Sequence, residues 1–264
     1  MQSAPIQPDE ALPIHRIDAR SRGPLKQVHA LLQARELVAF LIWRDIRVRY
    51  KQALLGAAWA VVQPLATMLI FLVVFSRLAG MPTDGVHPSL FFLSALVLWS
   101  YVNNATSLAS SSLMANMHLI TKVSFPRFAI PLAAALAPLL DLVIGSVVLL
   151  IVALFLGAAV SWTWLIAPLA MLLAIITVIG VASWMAPLMA RYRDIKHILP
   201  FSIQLWLFAS PIAYPASLVP EQWRALYACN PLVSAIELFR WSTVGGECPR
   251  WLGMRDHDRD TSLG

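Results

Sequence analysis

LVAFLIWRDIRVRYKQALLGAAWAVVQPLATMLIFLVV, residues 37–74, changes character halfway along. Arg44, Arg47, Arg49 and Lys51 crowd its first half, and beyond Lys51 no charge occurs until Arg77, a gap of about 25 residues. At about 1.5 Å of helical rise per residue, that gap crosses the roughly 30 Å hydrocarbon core of a bilayer. The stretch reads as a basic helix at a membrane surface that feeds directly into a spanning helix.

Composition agrees. Of 264 residues, 59% are hydrophobic and 13% charged, and the mean hydropathy is +0.69. Soluble domains carry about 25% charged residues, so this chain lacks the surface to stay dissolved. An all-α integral membrane protein is the class that fits. The formal charge of +6 belongs to the positive-inside rule rather than to nucleic acid, because no RNA-binding signature or long basic stripe occurs. Two cysteines, Cys229 and Cys248, make neither a disulfide framework nor a zinc site. Residues 1–30 lack the apolar core of a signal peptide and read as an uncleaved, disordered cytoplasmic tail.

Helical periodicity over 31–52 puts Ile42, Trp43, Ile46 and Tyr50 on one side and the cations Arg44, Arg47 and Lys51 in a stripe on another. Such a helix is predicted to lie in the headgroup layer, its cations toward anionic lipid. Five spans follow, at about 54–78, 90–114, 128–158, 164–189 and 199–214. Pro64 should kink the first. The second turns polar toward its end (Asn103, Asn104, Thr106, Ser107, Ser110 to Ser112), which suits packing inside a bundle. The N-terminal region, the Lys122/Arg127 loop and the Arg191/Arg193/Lys196 loop share one side, while Arg77 and Arg224 lie opposite. The positive-inside rule then makes the N-terminus cytoplasmic.

Residues 220–246 are too short and too charged for two spans. Asn230-Pro231 divides them into half-helices, and Glu237 and Arg240 can pair on one face at a spacing of three. The pattern fits either a re-entrant hairpin or an amphipathic helix on the outer surface. No apolar run follows Trp251, so the expectation is five spans, an outside C-terminus and an atypical polar tail over 247–264.

Catalytic or metal chemistry finds little support. None of the six histidines pairs with another at ligand spacing inside a span, and Asp256-His257-Asp258 reads as a solvated tail. There is no Gly-x-x-x-x-Gly-Lys-Ser/Thr loop, so ATP-driven work would need another subunit to hold the nucleotide. Asp141 is the one acidic residue well inside a span. It is either a functional site or a hydrogen-bonded structural residue. Trp43, Trp99, Trp162, Trp164 and Trp223 fit an aromatic belt. Trp59, Tyr101, Trp206 and Tyr214 belong either to belt and core or to a conduit where rings stack on sugars.

Several blocks occur in one order: WRDIRVRYKQALLGAAWAVVQP (43–64), LITKVSFPRFAIPL (119–132), ARYRDIKHI (190–198), SPIAYP (210–215), and Asn230-Pro231 leading to Glu237 and Arg240. In these the chain resembles the permease subunits of ATP-binding-cassette exporters of O-antigen, capsular polysaccharide and teichoic acid. The resemblance runs from about Leu31 to Gly246. It implies an inner-membrane permease, not an enzyme, that homodimerises and passes a lipid-linked polysaccharide outward. A separate ATPase would bind ATP and magnesium, and this chain would carry no cofactor. The transmembrane domain would occupy 31–246. The interface helix (37–51) and the loop with Met117, His118, Leu119, Thr121, Lys122, Pro126 and Arg127 would meet the ATPase. Asn230, Pro231, Glu237 and Arg240 would form a re-entrant outer gate, and Arg44, Arg47 and Lys51 would meet headgroups or the carrier's pyrophosphate. Family members close with a sixth span, so the resemblance reads the ending here as a truncation, a frame shift or a fragment. Rival readings are a drug or small-molecule exporter, a membrane glycosyltransferase or acyltransferase, and a non-transporting scaffold.

Overall fold

The structure is a computed structural model and describes residues 31–51, 58–122, 125–158 and 161–245. The expected tails at 1–30 and 247–264, with Cys248 and Asp256-His257-Asp258, lie outside the described residues, as does the junction at 52–57. Among the described residues every regular element is helical.

Helix α1 is Arg35–Lys51 and α2 is Ala58–Phe71, which passes through Pro64 and continues as π-helical turns over Leu72–Leu78. Helix α3, Pro88–Ala115, opens on a proline, whose fixed φ suits a first turn and whose missing N–H would have no helical partner there. The short α4, Met117–Lys122, follows. The third apolar stretch is two helices, α5 (Ala129–Leu136) and α6 (Leu139–Phe155). The break falls at Pro138, which has no N–H to donate back into the preceding turn. A 3-10 turn, Trp162–Ile166, leads into α7 (Ala167–Arg191), and α8 is Ile195–Phe208. Helices α9 (Glu221–Ala228) and α10 (Pro231–Val244) are the last described.

Helix α3 is the axis of the bundle. Its buried residues run from Leu90 to Ser112 and face every direction, because α2, α5, α6, α7, α8 and α10 all pack on it. Helix α7 packs on it most extensively, and Ala170, Ala174, Val178, Ala182 and Ala186 fall every fourth residue on its buried side. Small residues in such a row let two helix backbones approach closely in lipid. Gly145 does the same on α6, where an added Cβ would sit 3.0 Å from Val97 Cγ1.

Among the described residues, three segments are long and apolar enough to cross a bilayer: Ala58–Leu78, Ala129–Phe155 and Trp162–Arg191. The other two expected spans differ for physical reasons. Helix α3 has 28 residues, ample for length, but its polar second half lowers its hydropathy, which a helix sheathed by protein tolerates. Helix α8 has 14 residues, roughly 21 Å of rise, and ends at Phe208 rather than reaching Tyr214.

Helix α10 is no surface helix. Nine of its 14 residues are buried, and it packs between α3 and α7. Helix α9 has no buried residue. The pair sits at the end of the bundle opposite α1, where Thr163 Oγ1 donates to Ser242 O (2.8 Å) and Ser217 Oγ to Asp84 Oδ1 (3.0 Å).

Candidate functional site

Helix α1 is attached to the bundle at three levels. Leu41, 2% exposed, forms a small core of its own with Ile130 and Ala133 of α5. Leu37, Val38 and Ile42 from α1, Leu113 from α3, and Leu119 and Ile120 from α4 pack around it. Above it, Arg44 Nη2 donates to Asn116 Oδ1 (3.1 Å), and Asn116 Nδ2 donates to Ser112 O (2.9 Å), fixing the α3–α4 corner. Arg44 also pairs with Asp45 at 2.8 Å. At the far end, the Tyr50 hydroxyl donates to Asp141 Oδ1, and Arg49 Nη1 lies 3.0 Å from Asp141 Oδ2. The arginine contact is an ion pair without directed hydrogen-bond geometry, since Nη1 is buried and makes no hydrogen bond.

These contacts give Asp141 its partners. Its side chain is 14% exposed and meets both a cation and a phenol. A carboxylate inside a span is costly to ionise without such partners. The side chains of the interface helix divide between protein contact and exposure. Of the predicted cationic stripe, Arg44 is engaged with protein, while Arg47 and Lys51 are exposed. The predicted apolar side is divided as well. Trp43 is exposed, with Arg47 Cζ 4.5 Å above its ring, and Tyr50 faces Asp141. Helix α1 runs beside α5 toward α6 with Phe40, Trp43, Arg47 and Lys51 outward.

Arg49, Asn116 and Ile130 escaped the sequence reading. A signal for Arg49 was present: it sits off the Arg44/Arg47/Lys51 stripe, and a lone intramembrane aspartate calls for a cation.

Helix α4 divides its side chains similarly. Leu119 and Ile120 turn to the Leu41 core, whereas Met117, His118 and Thr121 are exposed, as is Arg127 beyond the helix. Pro126 is half-buried, and Lys122 ends α4. The exposed sides of α1 and α4 thus lie at one end of the bundle.

At the other end, Asn230 is a hub. Its Oδ1 accepts from Leu232 N (3.1 Å), capping α10, and from Trp206 Nε1 (3.0 Å). Its Nδ2 donates to Ala209 O and Ser210 Oγ, both at 3.1 Å. One amide therefore joins the end of α8 to the start of α10. Pro231 opens α10 at a position that suits proline. Arg240 is 8% exposed; Nη2 donates to Pro211 O (2.6 Å), and Cζ lies 3.7 Å from the centroid of the Phe91 ring. The negative charge of Glu237, three residues earlier, acts on it. Both hairpin residues thus hold the Ala209–Ile212 break from different sides.

The four conduit candidates separate. Tyr101 is 1% exposed and donates to Ala135 O (3.2 Å), so it lines no open surface of this chain. Trp206 is half-buried, edge-on to Trp99 at 6.4 Å and tied to Asn230. Tyr214 is half-buried, donates to Phe208 O (2.9 Å) and lies 6.4 Å from the Tyr227 ring. Trp59 is exposed on α2.

The matches to known proteins cover this same architecture. The family model for ABC-2 type transporters matches residues 36–244, from the start of α1 to the end of α10. An O-antigen export system permease protein, RfbA, of Myxococcus xanthus is 26% identical over 82% of this chain and 83% of its own length. A Klebsiella pneumoniae protein of the same name is 28% identical over 78% of this chain and 79% of its own. The polysialic acid transport protein KpsM of Escherichia coli is 25% identical over 79% of this chain and 81% of its own. With its long apolar helices, the chain is a multi-pass membrane protein. It belongs to the ABC-2 type transporter family.

Proposed function

We infer that this chain is the permease subunit of an ATP-driven exporter that passes a lipid-linked polysaccharide of O-antigen or capsule type outward across the bacterial inner membrane. The observation that carries the reading is the joint between α1, α4 and α5. Leu41, Ile130, Ala133, Leu119 and Ile120 pack together, and Arg44 bonds Asn116, so the interface helix and the loop after α3 form one solid unit. An ATPase pressing on exposed Met117, His118, Thr121 or Arg127 would move both together. The names of the RfbA and KpsM relatives support the cargo class.

In this reading the N-terminus and the α1–α4 joint are cytoplasmic, and the α9–α10 hairpin is the outer, re-entrant gate. The chain homodimerises, and each copy docks a separate ATPase that holds ATP and magnesium. Ser202 and Gln204 are exposed on α8 of a single chain. Polar side chains at that depth are costly against lipid, which supports a partner copy or a conduit beside α8. Arg47 and Lys51 are the cations free to meet lipid headgroups or the carrier's phosphate, beside exposed Phe40 and Trp43.

Deleting the gene in its native cell tests this. The expected result is loss of surface polysaccharide with lipid-linked glycan accumulating inside, restored by the intact chain. Unchanged surface polysaccharide would exclude the cargo.

A further inference from the structure

Helix α1 touches the third apolar stretch on both sides of its break. Leu41 packs on Ile130 and Ala133 in α5, before Pro138, while Arg49 and Tyr50 reach Asp141 in α6, after it. The two attachments are about nine residues apart along α1 and about ten along α5–α6, so both helices advance together by roughly 12–16 Å. The first attachment is apolar and the second ionic and hydrogen-bonded. Helix α1 is thus a splint across an interruption where the α5–α6 ladder lacks the N–H of a proline.

We propose that Arg49, Tyr50 and Asp141 form a clamp that makes the interface helix and α6 move as one body, so that displacement of α1 reaches the membrane helices instead of bending at Pro138. The three are positioning residues for transport. The proposal rests on the reading of α1 as the element that a partner ATPase moves. Without the clamp, α1 still holds α5 through Leu41, and the motion is absorbed at the break. Hydrolysis by the partner then continues while export fails.

Two arms test this on the full chain with its ATPase partner. In cells and in the purified complex, Asp141→Leu is expected to lower polysaccharide exported per ATP hydrolysed at least tenfold while the ATPase still co-purifies. The exchanged pair Arg49→Asp with Asp141→Arg is expected to recover export to within about threefold of wild type. A purely structural aspartate would lose assembly and hydrolysis along with export. Full export in Asp141→Leu would also overturn the clamp.

The second arm does not depend on the cargo. Spin labels at Val48→Cys and Leu154→Cys, both exposed positions, report the α1–α6 distance with Cys229 and Cys248 replaced by Ser. On adding ATP the distance is expected to hold in the otherwise wild-type chain and to change in Asp141→Leu. A distance that changes equally in both would refute the clamp. A wild-type complex that holds the distance yet exports no polysaccharide would refute the cargo and keep the clamp.

Discussion

Replacing Asn230 by alanine should loosen the hairpin more than any other change at that end. The side chain makes four hydrogen bonds, to Leu232 N, Trp206 Nε1, Ala209 O and Ser210 Oγ, all between 3.0 and 3.1 Å. A typical hydrogen bond contributes about 1 kcal/mol net, and the helix cap alone about 1 kcal/mol. Solvent reaches part of this group, and shared bonds do not add fully, so about 3 kcal/mol is the working figure. For a chain of this length each kcal/mol moves Tm by about 2–4 °C, giving a fall of roughly 6–12 °C. The assay is thermal unfolding of the purified protein in detergent. Ser183→Ala, on the exposed side of α7 with a single local bond to Ile179 O, serves as the control and should move little. Asn230→Ser keeps an acceptor for the cap and loses the reach to Ala209, so it should fall between. A Tm within about 2 °C of wild type in Asn230→Ala would refute the hub.

Other changes separate burial from function. Tyr101→Phe removes one bond to Ala135 O, so Tm should drop by about 2–4 °C with export intact; an export defect without a stability change would restore Tyr101 to the conduit. Gly145→Leu forces side-chain atoms into Val97 and should cost about 1–3 kcal/mol, read as a lower Tm. Arg44→Ala breaks the tie to Asn116 and should cost about 1–3 kcal/mol. Arg47→Gln with Lys51→Gln should leave Tm nearly unchanged but reduce export, and equal effects of the two variants on Tm would contradict their different placements.

The residues that announced the membrane and the bundle were legible because they act through composition and spacing. The apolar run after Lys51, the break at Asn230-Pro231 and the polar second half of α3 are local signals, and each has its physical counterpart here. What escaped depends on pairing across long sequence distances. Tyr50 and Asp141 are 91 residues apart, and Arg44 and Asn116 are 72 apart, so no periodicity reports that they meet. The interface helix shows the same limit. Its amphipathic pattern shows which residues share a side but not whether lipid or protein covers that side, and Leu41 proved to be the buried anchor. Tyr101 shows the converse, because an aromatic in a span looks the same in sequence whether it faces a conduit or a neighbouring helix.

Reconstituted transport tests most directly whether this chain and an ATPase move a polysaccharide. The chain, purified with its ATPase and placed in liposomes, is supplied with a labelled lipid-linked polysaccharide, and the fraction protected from an external glycosidase is followed with and without ATP. The expected result is ATP-dependent movement of the glycan across the bilayer that requires both subunits. Steady ATP hydrolysis with no movement of the glycan would contradict it.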